Sequence, residues 1–215
     1  MIDSFDEKIV AVVVNSVDYK EFDKLYTLFT REHGKIQAYG FGVKKINSRK
    51  KGILQLFSFC NVYLKRNQDM YTVIDATIIQ SFEELSSDYD TMRYASYFME
   101  VVDYVGYENI DSRDIFELLY FTLIALRNGI IEKRLIKVIF DLKILKYQGE
   151  YLEAEMLQNS SETLKYTWNY VLSQKPNKLY TFSLKDEVFR QFEKNVNYEF
   201  KQKINKKFRS LDGIS

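Results

Sequence analysis

Up to residue 79 the apolar positions fall in short runs or alternate with polar ones; after Gln80 they recur at the 3.6 period of a helix. Ile9 to Val14 is a β-branched run of the kind that marks a strand buried on both faces. Strands are predicted next over 25–30 and 35–43, joined across Glu32, His33 and Gly34, where the glycine supplies the positive φ of a tight hairpin. In the second of these, Ile36, Ala38, Gly40 and Gly42 share one face, and two glycines there let a strand bend as a small closed barrel requires. Two more strands are predicted over 53–63 and 70–79, with Arg66-Asn67-Gln68-Asp69 as the turn. Five strands in so short a span, separated by turn signals, predict a five-stranded OB-fold barrel.

The helical part opens on Ser81-x-x-Glu84, a capping box. Met92, Ala95, Met99, Val102 and Val105 line one helix face. Asp111 or Ser112 caps the next helix, apolar almost all round from Ile115 to Ile124 and stopped by Asn128-Gly129. Such a helix is expected in the middle of a bundle. A third helix spans 131–145, a short one ends before Pro176, and a last one carries Phe189, Phe192, Val196, Phe200, Ile204 and Phe208. The fold class predicted is α+β: an OB-fold domain over 1–80 followed by a helical domain over 81–215.

Charge changes this picture more than composition does. The chain has 215 residues and a net charge of only +1. Between 31 and 66, however, Arg31, Lys35, Lys44, Lys45, Arg49, Lys50, Lys51, Lys65 and Arg66 face a single acid, Glu32. Residues 81–150 carry 8 cations against 13 anions, which hides the island in the total. Charge sorted in this way gives one face a positive potential, whose commonest partner is a phosphate backbone. On a small barrel, cations hold phosphates in a groove and aromatics lie under the bases. These nine cations are the candidate DNA-binding residues; Tyr39 and Phe41 are candidate base-stacking residues, although packing within the barrel is the favoured reading of the two rings.

Catalytic chemistry finds little support. The single histidine, His33, sits in a tight turn, and the single cysteine, Cys60, lies in an apolar strand as a small hydrophobe. One Cys and one His exclude a Cys/His zinc site and an internal disulfide. Gly40-x-Gly42 lacks the rest of a phosphate-binding loop. No cofactor is expected and the protein is read as a non-enzyme. The acidic amino terminus is unlike a secretory signal and the longest apolar run is too short to span a bilayer, so a soluble intracellular protein is expected, with no membrane partner.

Residues 25–35, LYTLFTREHGK, resemble the first hairpin of the bacterial RecO family of recombination mediators. The segments GVKKINSR at 42–49, LQLFSF at 54–59, ASYFMEVVD at 95–103, DIFELL at 114–119, FDLKILK at 140–146 and FRSL at 208–211 are similar to further stretches of that family, in the same order. The chain departs from it at one place. Many members carry two CxxC pairs that bind zinc after the third helix, whereas residues 152–160 hold no Cys. Apolar packing through Tyr151, Leu152, Met156 and Trp168 is expected to replace that lobe. The resemblance implies a protein that binds single- and double-stranded DNA, anneals complementary strands and works with RecR. It also implies help in loading RecA on DNA coated by SSB, whose C-terminal tail docks on the helical domain in some members. It implies a cytoplasmic, nucleoid-associated location. The competing reading is an interaction scaffold whose basic barrel binds an acidic protein.

Overall fold

The computed structural model describes residues 6–67, 70–150, 157 and 160–211. Within them the chain forms two compact units, Met1–Phe116 and Glu117–Ser215. The first holds β1 (Glu7–Asp18), β2 (Lys24–Thr30), β3 (Gly34–Gly40), a short helix α1 (Arg49–Ile53), β4 (Phe59–Asn67), β5 (Met70–Gln80) and α2 (Tyr89–Val105). Helix α3 (Arg113–Asn128) begins in it. The strands close into a barrel in the order β1-β2-β3-β5-β4, with β4 returning to β1. All pairs are antiparallel except β3 with β5. This is the OB-fold barrel that the strand pattern predicts.

The inner face collects Ile9, Ala11, Val13, Tyr26, Leu28, Ile36, Ala38, Val62, Leu64 and Val73 into the barrel core. Alternation puts a second set outside. Phe29, Val12 and Phe59 sit in register across β2, β1 and β4, and all three are buried. Phe116 stacks on Phe29 at 6.3 Å between ring centroids and meets Phe59 edge-on at 5.2 Å; Phe82 meets Phe59 at 5.8 Å. Each such pair adds about 0.5–1.5 kcal/mol beyond its buried area. This outer seam explains why β1 reads as apolar on both faces.

Several boundaries differ from the sequence reading, for local reasons. Strand β3 stops at Gly40, where a Cβ would stand 2.6 Å from both the Tyr26 ring and Val43; Gly42 lies beyond it in a turn. Residues 49–53 are helical, so the fourth strand starts at Phe59 rather than Ile53. Gln68 and Asp69, in the turn that follows it, lie outside the described residues. The Ser81 hydroxyl accepts from the Glu83 amide before a 3₁₀ turn over Glu83–Ser86, and α2 is capped instead by Asp88, which accepts from the Thr91 amide at 2.8 Å.

In the second unit α4 (Lys133–Tyr147) packs with α5 (Glu162–Ser173) and α6 (Asp186–Lys203). The most enclosed helix is α4, buried from Leu135 to Leu145 except at Lys137, rather than α3 as its composition suggests. Its buried Lys143 donates to the carbonyls of Leu172 (3.3 Å) and Gln174 (2.8 Å), and Lys146 donates to Leu172 at 2.6 Å. Two cations thus satisfy the free carbonyls at the C-terminal end of α5. Helix α6 ends at Lys203, so Ile204 and Phe208 follow it. The proposed replacement for the zinc lobe, Tyr151, Leu152 and Met156, lies outside the described residues. Among the described residues no helix is long and apolar enough to cross a membrane.

Gly34 holds the hairpin to the segment after α2. Its φ is +63°, and a Cβ there would meet the Tyr107 carbonyl at 1.9 Å. Gly129, with φ +65°, has open space around its Cβ position. Gly129→Ala is therefore expected to lose about 1–2 kcal/mol, the cost of left-handed backbone alone. Gly34→Ala should lose more than that, read as a larger fall in the urea midpoint; equal losses would contradict the close contact.

Candidate nucleic-acid interface

The connection from β3 to α1 carries most of the basic island. It is tied down by main-chain bonds: the Gly42 amide donates to Asp23 Oδ1 at 2.8 Å, and the Lys44 amide to the Phe22 carbonyl at 2.9 Å. Lys44 Nζ donates to Asp18 Oδ2 at 2.6 Å, and the Asp18 carboxyl is held below its ordinary value chiefly by that hydrogen bond. Lys50 is half-buried and donates to the Val73 carbonyl at 3.3 Å; desolvation lowers its pKa, against the pull of Asp75 and Asp23. Lys45, Arg49 and Lys51 are exposed and make no ion pair among the described residues.

The remaining cations divide. Lys65 and Arg66 are exposed at the end of β4, with the Arg66 guanidinium 5.9 Å from the Tyr71 ring centre. Arg31 is exposed at the hairpin tip, with Glu32 Oε1 3.9 Å from its Nε. Lys35 is drawn to helix α2, where Nζ donates to the Asp103 carbonyl at 2.5 Å and lies 3.3 Å from Asp103 Oδ1. The nine cations therefore do not act alike: Lys35, Lys44 and Lys50 are engaged within the fold, Arg31 pairs with Glu32 at the hairpin tip, and Lys45, Arg49, Lys51, Lys65 and Arg66 present their charge to solvent.

Register brings the two exposed groups together. Tyr39 pairs with Thr72 across β3 and β5, and Thr72 pairs with Lys65 across β5 and β4. Residues in register share a face, so Tyr39, Thr72 and Lys65 form one row on the outside of the barrel. Helix α1, which carries Arg49 and Lys51, rests against β5, with Lys50 bonded to the Val73 carbonyl and Ile53 packed on the barrel core.

Tyr39 and Phe41 do not pack inside. Ile36, Ala38 and Gly40 are the buried set of β3, which leaves Lys35, Gln37 and Tyr39 outside. The Tyr39 and Phe41 rings stack at 5.7 Å and 18°, and Phe41 remains 47% exposed. A third ring, Tyr19, lies 5.0 Å from Tyr39 with Lys20 Nζ 5.2 Å from its centre. Sequence reasoning missed Tyr19. Its signal was an aromatic between Asp18 and Lys20 in the β1–β2 connection, a loop that OB folds use for oligonucleotides.

His33 is half-buried, with Nε2 2.6 Å from Glu7 Oε1 and its amide donating to Thr30 Oγ1. Cys60 is buried in the barrel core, and burial pushes its thiol up to about 12. No group of three His, Cys, Asp or Glu able to hold a metal occurs among the described residues.

Two family models match the chain: "Recombination protein O N terminal" over residues 4–82 and "Recombination protein O C terminal" over 86–156. The chain is 33% identical over 144 residues to the DNA repair protein RecO of Clostridium acetobutylicum, covering 67% of this chain and 58% of that protein. It is 34% identical over 142 residues to that of Clostridium novyi, covering 66% and 56%. A longer match, to RecO of Acetivibrio thermocellus, is 23% identical over 239 aligned positions and covers 96% of this chain and 95% of that protein. The chain spans less than two thirds of the length of the first two relatives in these matches. An OB-fold barrel leading into helices, matched by both models, defines the class: the chain belongs to the RecO family.

Cys60 gives a check on the barrel core. Its folded-state value lies above the ordinary thiol value of 9.0, so the neutral thiol stabilises fully below pH 9, and that contribution is lost as pH rises from 9 towards about 12. Tyr26, raised from 10.0 to about 12 by burial, acts in the same direction. Stability is expected to fall steadily above pH 9, and Cys60 should resist a thiol reagent at pH 8 until denaturant unfolds the chain. Rapid labelling of the folded protein would contradict its burial.

Proposed function

We propose that this chain is a non-enzymatic recombination mediator in DNA repair whose barrel holds DNA on the outer face of β3, β5 and β4. The observation that carries the reading is the ring cluster Tyr19–Tyr39–Phe41, in one row with the exposed Lys65 by register and followed in the chain by the solvent-facing cations Lys45, Arg49 and Lys51. A basic surface alone would serve an acidic protein equally well. Three partly exposed rings next to it favour nucleic acid, because every base has a flat face to stack and an acidic side chain has none.

The mechanism follows from these parts. Cations neutralise phosphates and release counterions, which lowers the repulsion between two approaching strands. Stacking holds the bases apart from one another and leaves their pairing edges in solvent. Pairing with a complementary strand then supplies the free energy of annealing, so no covalent step is needed. Double-stranded DNA meets the same cations without the stacking contribution and binds more weakly. In this reading RecR and the C-terminal tail of SSB are the protein partners, and the complex helps RecA replace SSB at sites of damage in the nucleoid.

Salt dependence tests the assignment. If Lys45, Arg49, Lys51, Lys65 and Arg66 neutralise about five phosphates, log affinity for a single strand should fall with log salt at a slope of about −3.5. The triple variant Lys45→Glu, Arg49→Glu, Lys51→Glu should flatten the slope to about −1.4 and abolish annealing of complementary strands. Tyr39→Ala should cost about 1–3 kcal/mol of binding with the slope unchanged. Unaltered binding by the triple variant would remove the proposal.

A further inference from the structure

A cleft of about 350 Å³ opens at the hairpin end of the same β3 face, between the starts of β3 and β5 and the segment that leaves α2. Tyr71, Tyr104 and Tyr107 give it three aromatic walls, and Lys35, Gln37 and Glu108 give it polar groups. Its size is at the lower end of the range for small-molecule sites.

The cleft is built in advance. The Lys35 amide donates to the Tyr107 carbonyl at 3.3 Å, the Asn109 amide donates to the His33 carbonyl at 2.9 Å, and Gly34 forms an antiparallel bridge with Glu108. Residues 107–109 thereby add a short edge to the hairpin, the contact that Gly34 alone permits. Gln37 is held by Thr27, whose hydroxyl accepts from Gln37 Nε2 at 3.0 Å. A site whose walls are already fixed loses little freedom when it is filled.

We infer that this cleft receives one unstacked nucleobase of the bound single strand, and that it prefers a base bearing an exocyclic amino group. This rests on the nucleic-acid reading of the barrel face. Along β3 the outward residues run Lys35, Gln37, Tyr39, so the cleft and the ring stack are successive stations on one strip. A strand laid on the stack and continued along β3 reaches the cleft.

Charge identifies which part of the strand enters. The Lys35 ammonium already faces the Asp103 carboxylate at 3.3 Å, and Glu108 adds a further negative charge. The two carboxylates disfavour an acidic peptide, and the cation that can take a phosphate stands at the rim, where the Arg66 guanidinium lies 5.9 Å from the Tyr71 ring centre. A neutral base suits it: flat faces meet tyrosine rings, and an amino group donates to Glu108. Adenine, cytosine and guanine carry such a group, whereas thymine does not.

The test uses the full chain and dT oligomers of about ten nucleotides, within the length that one barrel holds. A single dC within the oligomer should raise affinity by about two- to tenfold over dT alone, the gain of one hydrogen bond to a charged acceptor. An abasic residue at that place should lower it. Both effects should vanish in Glu108→Gln and Tyr107→Ala, which alter exposed side chains, while the salt slope stays as in the native protein. If all oligomers bind equally and both variants match the native protein, the cleft is not a base site, and the reading of the barrel face stands. If no oligomer binds, that reading fails and the cleft falls with it.

Discussion

The aromatic seam on the outside of the barrel decides what the rest of the first unit can do. Phe29, Val12 and Phe59 lie in one row across three strands, and Phe82 and Phe116 close over them. A barrel of five strands has more outer surface than its own core can use. By burying the β2–β1–β4 side under rings, the fold fixes which side stays open. The open side is β3 with β5 and the end of β4, and the exposed cations and the Tyr19–Tyr39–Phe41 stack lie there. Each ring of the seam contributes about 1.5–3 kcal/mol by its burial, so the division into a covered and an open side is strongly held.

Charge on the open side is graded by how each cation is used. Lys35 fastens the hairpin to helix α2, Lys44 braces its loop through Asp18, and Lys50 anchors α1 to β5. These three shape the surface. Lys45, Arg49, Lys51, Lys65 and Arg66 present their charge to solvent. The Lys44–Asp18 pair is solvent-exposed, so it is screened by salt and Lys44 is free to exchange its carboxylate for a phosphate.

Much of this was legible in the sequence, because period and turn chemistry are local. The alternation in 25–43, the glycine at 34 and the change of period after Gln80 gave the barrel and the helices that follow. The limits of β3 and β4 were not legible, since they depend on contacts at a distance. Gly40 ends β3 where the Tyr26 ring closes over it, and the helical turn at 49–53 is fixed by Lys50 reaching Val73. For the site, sequence located the basic island, and it singled out Tyr39 and Phe41 but favoured packing them inside the barrel. It could not sort bracing cations from presented ones, because Asp18, Asp103 and Val73 are remote in the chain. It missed the cleft for the same reason, whereas Tyr19 carried a local signal in the β1–β2 connection. Lys35 and Gln37 gain Tyr104, Tyr107 and Glu108 as neighbours only once the segment after α2 has folded onto the hairpin.

The account stands on the claim that the β3 side of the barrel, and not the seam side, holds the strand. Hydrogen–deuterium exchange of the full chain with and without a dT oligomer measures this directly. Protection is expected in the β1–β2 connection, in the outer half of β3 and in the loop through Lys51, with no change in the peptides that carry Phe29 and Phe59. Protection confined to the seam side, or none in residues 37–51 with oligomer bound, would contradict it.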